Sequence, residues 1–234
     1  MIGAVLFDFG GTLDSDGIPW LDRFLPLYEK AGVRPPGDAL VRAFYRADDG
    51  LAARFPLNGL DLEETVRLQV GCVVSEVCPD RRDLVEPIVR GFVDPCRRRF
   101  ERNRPLLERL KTRFRLGIVS NFYGNLRGIL DAEGLGALFE AVADSGEVGV
   151  LKPEEGLFRH ALERLGVDPR RTLMVGDSLH RDMAGAHRLG MPHAWLAGPE
   201  DPRTPCCPSV LRLRSLGELE PLLSREPSSA GAPR

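Results

Sequence analysis

The spacing of apolar residues changes twice along the chain. Ile2 to Phe7 is a short apolar run rich in strand formers. It stops at Asp8, and Gly10-Gly11 then punctuate the chain, as expected of a buried parallel strand feeding a loop. From residue 18 to about 95 the spacing becomes helical. Trp20, Leu21, Phe24, Leu25 and Tyr28 form one such set, and Leu62, Val66, Val70, Val73 and Val77 another. Pro35-Pro36, Pro56 and Pro79 separate the sets. The stretch predicts about four helices and no strand. From about residue 100, short apolar runs alternate with helical patterns. Strands are predicted at 116–119, 141–143, 172–175, 193–196 and 210–213, with helices at 105–111, 126–130, 154–165, 182–189 and 216–223.

Repeated strand–helix units imply a parallel sheet with helices on both faces. The predicted fold is therefore α/β: a doubly wound, Rossmann-like core interrupted directly after its first strand by an all-helical cap. The core is expected over 1–14 and 97–224, and the cap over 15–96. Residues 225–234, rich in Pro, Ser, Ala and Gly, are expected to be a disordered tail. The length agrees: 234 residues are about one and a half domains at ~150 residues each. No internal repeat is visible.

Composition narrows the class. Hydrophobic residues make up 43% and charged residues 28%, so a mostly disordered chain is excluded. No apolar run approaches the length of a membrane span. Net charge is −2, which gives no general attraction to nucleic acid. The five cysteines have no zinc-site spacing, and the N-terminus lacks the pattern of a signal peptide. A cytoplasmic protein with free thiols is expected, with neither nucleic acid nor a membrane as partner. Only three of the 32 basic residues are lysines: Lys30, Lys111 and Lys152. Each can be questioned individually.

In open α/β sheets ligands bind beyond the carboxyl ends of the strands. Four of these ends carry chemistry: Asp8 to Asp14 after the first, Ser120-Asn121 after the second, Lys152-Pro153 beyond the third, and Gly176-Asp177-Ser178 with Asp182 after the fourth. Each has a plain structural reading on its own. Asp8 could cap a strand end, Thr12 a turn, Lys152 start a helix in water, and Asp182 favour a helix dipole. In this order they suit phosphoryl transfer. An aspartate can attack phosphorus, a Mg²⁺ ion can join two carboxylates to a phosphate, and an ammonium with hydroxyls and N–H groups can hold the other phosphoryl oxygens.

These segments resemble the motifs of the haloacid dehalogenase (HAD) superfamily: Asp8-Phe-Gly-Gly-Thr-Leu, Val119-Ser120-Asn121, Gly149-Val-Leu-Lys152-Pro153 and Gly176-Asp177-Ser-Leu-His-Arg-Asp182. The helical insert resembles the family's C1-type cap. The resemblance implies a Mg²⁺-dependent phosphatase acting on a small phosphorylated metabolite through an aspartyl-phosphate at Asp8. It implies Mg²⁺ on Asp8, Asp177 and the carbonyl of Gly10. Gly11, Thr12, Ser120, Asn121 and Lys152 would contact substrate, Lys152 would also assist catalysis, and Asp182 would support Lys152 or a metal-bound water.

One position departs from the pattern. Phosphatases of the family usually carry a second Asp two residues after the nucleophile, as general acid and base; here it is Gly10. That step is typically worth ~10²–10⁴-fold in rate. Another acid could serve, with Asp14, Asp16 or a cap residue as candidates. The alternatives are 2-haloacid dehalogenase chemistry, phosphonatase chemistry using the cap's single lysine, Lys30, and a slow or non-catalytic binding protein. The run Cys96 to Arg104, with five arginines in nine residues, reads as a solvated hinge face where the cap rejoins the core. The histidines form no metal cluster by spacing. His180 alone falls inside a motif.

Overall fold

The computed structural model describes residues 1–198, 201–205 and 210–224. Cys206, Cys207 and the expected tail at 225–234 lie outside the described residues. Six strands form one sheet: β1 (Ala4–Phe7), β2 (Arg115–Ser120), β3 (Ala141–Asp144), β4 (Thr172–Gly176), β5 (His193–Leu196) and β6 (Leu211–Leu213). Their order is β3-β2-β1-β4-β5-β6, and every neighbouring pair is parallel. The chain therefore winds outward from β1 in both directions. That places a topological switch point between β1 and β4, where such sheets bind ligands.

Alternation along the strands divides the core. On β1, Val5 and Phe7 join a cluster that runs from one sheet face into the insert, while Ala4 and Leu6 join the opposite cluster. The latter is closed by α7 (Glu155–Leu165) and α8 (Ala184–Arg188) through Leu157, Phe158, Leu165 and Ala186. The other face is covered by α5 (Leu126–Ala132), α9 (Leu219–Ser224) and the end of α4 (Val85–Lys111). Helix α6 (Ser145–Val148) is one turn after β3, capped by the Asp144 side chain. The apolar pattern does not announce it, because four residues are too few to show a period.

The insert is all helical, comprising α1 (Trp20–Lys30), α2 (Ala39–Arg54), α3 (Leu62–Val77) and the first half of α4. Asp61 and Glu64 form a reciprocal capping box at the start of α3. Phe24 and Phe92 stack with centroids 3.9 Å apart, tying α1 to α4. Helix α4 corrects the expected break before residue 105: one helix of 27 residues carries both Pro95 and Pro105. A proline in a helix interior removes one hydrogen bond and usually kinks or ends it. Here a buried stripe of Phe92, Cys96, Phe100, Asn103, Leu107 and Leu110 continues across both prolines, so packing outweighs the lost bonds. The boundary expected at 96/97 falls inside this helix.

The arginine run lies on α4. Arg97 pairs with Glu63 and Glu133, Arg99 and Arg102 hold Asp16, and Arg104 donates to the carbonyls of Glu133 and Gly134. It works as a set of ties between insert and core. Among the described residues no helix is long and apolar enough to cross a membrane.

Candidate active site

Asp8 follows the last residue of β1, where its N–H donates to the Val175 carbonyl at 2.9 Å. Ser120 ends β2, and Asp177 follows β4, on either side of it. The adjacency of three parallel strands thus converges side chains separated by more than a hundred residues. Asp8 Oδ1 accepts from its neighbour Phe9 N–H at 2.7 Å and from Ser120 Oγ at 2.7 Å, and it pairs with Lys152 Nζ at 2.8 Å. Oδ2 accepts no hydrogen bond among the described residues. One oxygen is fixed by three donors and the other is left for chemistry.

Lys152 is 3% exposed. Its ammonium bonds Asp182 Oδ1 at 2.7 Å as well as Asp8. Burial works to lower its pKa, but the Asp182 and Asp8 charges overcome this and hold it above the ordinary lysine value. Asp182 Oδ2 accepts from Ser178 N–H at 2.9 Å, so both of its oxygens are engaged and it serves to anchor Lys152. Asn121 lines the cavity, yet its side chain clamps the Lys152 backbone. Oδ1 accepts from Lys152 N–H at 2.7 Å and Nδ2 donates to the Lys152 carbonyl at 3.2 Å. That placement makes Asn121 a positioning group for the lysine. Thr12, expected beside substrate, is fully buried with its hydroxyl 3.4 Å from Asp177 Oδ1.

Asp8, Asp177 and Asp182 bring carboxylate oxygens within 4.8 Å of one another. Asp177 is 1% exposed, and Thr12 is its single side-chain donor among the described residues. Burial, followed by the charges of Asp8 and Asp182, pushes its carboxyl well above the usual range. The charges of Lys152 and Arg181 offset this only in part, and neither group bonds the Asp177 carboxylate among the described residues. Carboxylate oxygens placed this close could hold a metal ion, and an all-oxygen set of this kind suits a hard divalent cation such as Mg²⁺. Gly11 makes the close approach possible. Its φ is +89°, and a Cβ there would lie 2.5 Å from Asp177 Oδ2. Gly11→Ala is expected to cost more than ~1 kcal/mol of stability, because alanine at positive φ is strained. It should also weaken Mg²⁺ binding. Thermal denaturation with and without Mg²⁺ checks both, and an unchanged melting temperature would show that the loop relaxes freely.

The site opens into a cavity of about 210 Å³ lined by Asp8, Gly10, Ser120, Asn121 and Lys152 on the core side. Pro19, Trp20, Leu21, Phe44, Tyr45 and Asp48 of the insert face them, with Phe122, Tyr123 and Arg181 at the sides. Trp20, Asp48, Tyr123 and Arg181 line the cavity without being expected there from the sequence. Arg181 falls inside the Gly176 to Asp182 motif but at none of its matched acidic positions, and the other three belong to no motif. Trp20 stands against Gly10, whose Cβ, were there one, would be 3.0 Å from the indole Nε1. His180, Asp14 and Asp16 do not line the cavity, and Lys30 is exposed at the last residue of α1. Asp14 is instead a buried hub. It accepts from Gly11 N–H at 2.7 Å, Trp20 Nε1 at 2.7 Å and Arg23 at 2.8 Å.

Comparison with known proteins agrees with this geometry. The haloacid dehalogenase-like hydrolase family matches residues 2–190. A pyrimidine 5′-nucleotidase of Escherichia coli is 34% identical over 122 residues, covering 51% of this chain and 54% of that protein. A phosphoserine phosphatase of Thermus thermophilus is 37% identical over 133 residues, covering 53% of this chain and 51% of that protein. These alignments span about half the length of each relative. A HAD phosphatase from Thermococcus onnurineus superposes with a TM-score of 0.58 at 28% identity, covering 95% of this chain and 98% of that one.

Proposed function

The chain belongs to the haloacid dehalogenase-like hydrolases, and from that premise we propose that it is a Mg²⁺-dependent phosphatase acting on a small phosphomonoester. The observation that carries this reading is Asp8. It has one oxygen locked by Phe9, Ser120 and Lys152 and the other without a hydrogen bond among the described residues, beside the buried carboxylate of Asp177. The phosphatase and nucleotidase relatives support it. The exposed position of Lys30, the cap's only lysine, removes the amine that phosphonatase chemistry would need.

Asp8 and Asp177 would hold the Mg²⁺ ion, with the Gly10 carbonyl as the third protein ligand. When bound, the ion supplies the positive charge that lets a phosphate approach two carboxylates. The chain's own residues do the rest. Asp8 Oδ2 attacks phosphorus, and the ester bond opens as the Asp8–phosphoryl bond forms. Lys152 and Ser120, both on Asp8 Oδ1, fix the carboxylate and lie within reach of the phosphoryl oxygens. The insert covers the site and excludes bulk water from it. The product is a free hydroxyl compound and, after water attacks the phosphoryl-enzyme, inorganic phosphate.

A panel of phosphomonoesters assayed for phosphate release tests this reading. Turnover should require Mg²⁺ and disappear with EDTA, and adding Mg²⁺ should raise the melting temperature because the ion binds the native state. Phosphate release unaffected by EDTA would contradict the metal assignment. Chloride release from a 2-haloacid without metal would replace the phosphatase reading by a dehalogenase one.

A further inference from the structure

A departing alkoxide needs a proton, and position 10 has no side chain to supply one. Trp20 fills the space in front of it. Asp14 has four donors on its oxygens, and Asp16 is held by Arg99 and Arg102. Lys152 is bound between two carboxylates. No histidine lines the cavity among the described residues. One carboxyl remains on the side facing Asp8. It is Asp48, on α2 of the insert.

The Tyr123 hydroxyl, carried by the core loop after β2, donates to Asp48 Oδ1. This leaves Oδ2 without a hydrogen bond among the described residues. We propose that Asp48 is the general acid and base of the reaction, acting across the cavity from Asp8. The proposal rests on the phosphatase reading above.

In the first step Asp8 attacks phosphorus, the ester P–O bond breaks, and its electron pair leaves on the departing oxygen. That oxygen takes the proton from Asp48 Oδ2, and the resulting carboxylate stays bonded to the Tyr123 hydroxyl. In the second step water attacks the phosphorus, gives its proton to Asp48, and the Asp8–phosphorus bond breaks. Both carboxyl groups return to their starting states. The surroundings suit the cycle. Burial raises the Asp48 carboxyl above its ordinary value and Asp49 adds to this, while the Tyr123 hydrogen bond and Arg181 oppose. Burial and the charge of Asp48 push the Tyr123 phenol well above its own value, so it remains a donor throughout. Because Asp48 sits on the insert and Tyr123 on the core, the acid is in place only while the two are closed together.

The test is a leaving-group series with the full-length protein and Mg²⁺. For Asp48→Asn, kcat/KM should fall ~10²-fold on an alkyl phosphate, whose leaving oxygen needs the proton, and by less than about threefold on p-nitrophenyl phosphate. Asp48→Glu should recover part of the alkyl activity. Tyr123→Phe removes a donor to the carboxylate form, so the basic limb of the kcat/KM profile should move to higher pH. Equal losses on both esters, or no loss, would overturn the proposal, as would an unmoved basic limb. If the wild-type protein hydrolyses no phosphomonoester, the phosphatase reading fails instead.

Discussion

Asp8→Asn is expected to lower phosphomonoester turnover by roughly 10⁴-fold or more, as removal of a nucleophile does elsewhere, while leaving the fold intact. An amide oxygen can still accept from Phe9 N–H and Ser120 Oγ, the two uncharged donors on Oδ1. Lys152 keeps Asp182 as its counter-charge at 2.7 Å. The change also removes one of the two charges that raise Asp177, so the metal-free variant should melt no lower than the wild type. Mg²⁺ should bind it more weakly, because one of the two carboxylates proposed to hold the ion is gone. Paired melting curves and initial rates check the two halves separately. Retained Mg²⁺-dependent hydrolysis would mean that another group attacks phosphorus.

Lys152→Met should damage both stability and activity. The replacement fills a similar volume but leaves Asp8, Asp177 and Asp182 within 4.8 Å of one another with no cation between them. Removing one partner of a buried ion pair typically costs 3–5 kcal/mol, roughly, through the uncompensated charge left behind. Loss of a preorganised positive group at the reacting phosphoryl typically costs ~10²–10³-fold in kcat. The pH dependence separates this cause from a simple packing defect. Asp177 and Asp182 already titrate above their ordinary values when folded, and removal of the ammonium raises them further. A carboxyl that is raised in the folded state destabilises when ionised. The deficit should therefore be largest above the folded values and shrink as pH falls toward the unfolded value of about 3.9. Urea denaturation across pH checks this. A deficit constant with pH would point to packing alone.

The sequence made much of the core legible, for a physical reason. A buried parallel strand is an unbroken apolar run, and whatever polar residue ends it lies on the ligand-binding edge of the sheet. That rule located Asp8, Ser120 and Asp177, and the structure brings them together with Lys152 and Asp182. The helical insert was legible from its period.

What remained hidden depends on how the insert sits on the core. The Trp20 indole in front of Gly10, the Asp48–Tyr123 hydrogen bond and Arg181 at the cavity edge join elements far apart in the chain. No local spacing encodes such contacts. Asp14 carried a misleading signal. An acid six residues past Asp8 resembles a spare catalytic group, yet it is buried and used to fix Gly11, Trp20 and Arg23. Pro105, where a new helix was expected to start, misled in the same way, since it yielded to a continuous buried stripe.

Covalent phosphorylation of Asp8 is the decisive point. A single turnover with a phosphomonoester and Mg²⁺, quenched in acid at short times and followed by peptide mass spectrometry, observes it directly. The peptide containing Asp8 should gain one phosphoryl group during the turnover and lose it as inorganic phosphate accumulates. Phosphate released with no phosphorylated peptide at any time, or a phosphoryl group on another residue, would contradict it.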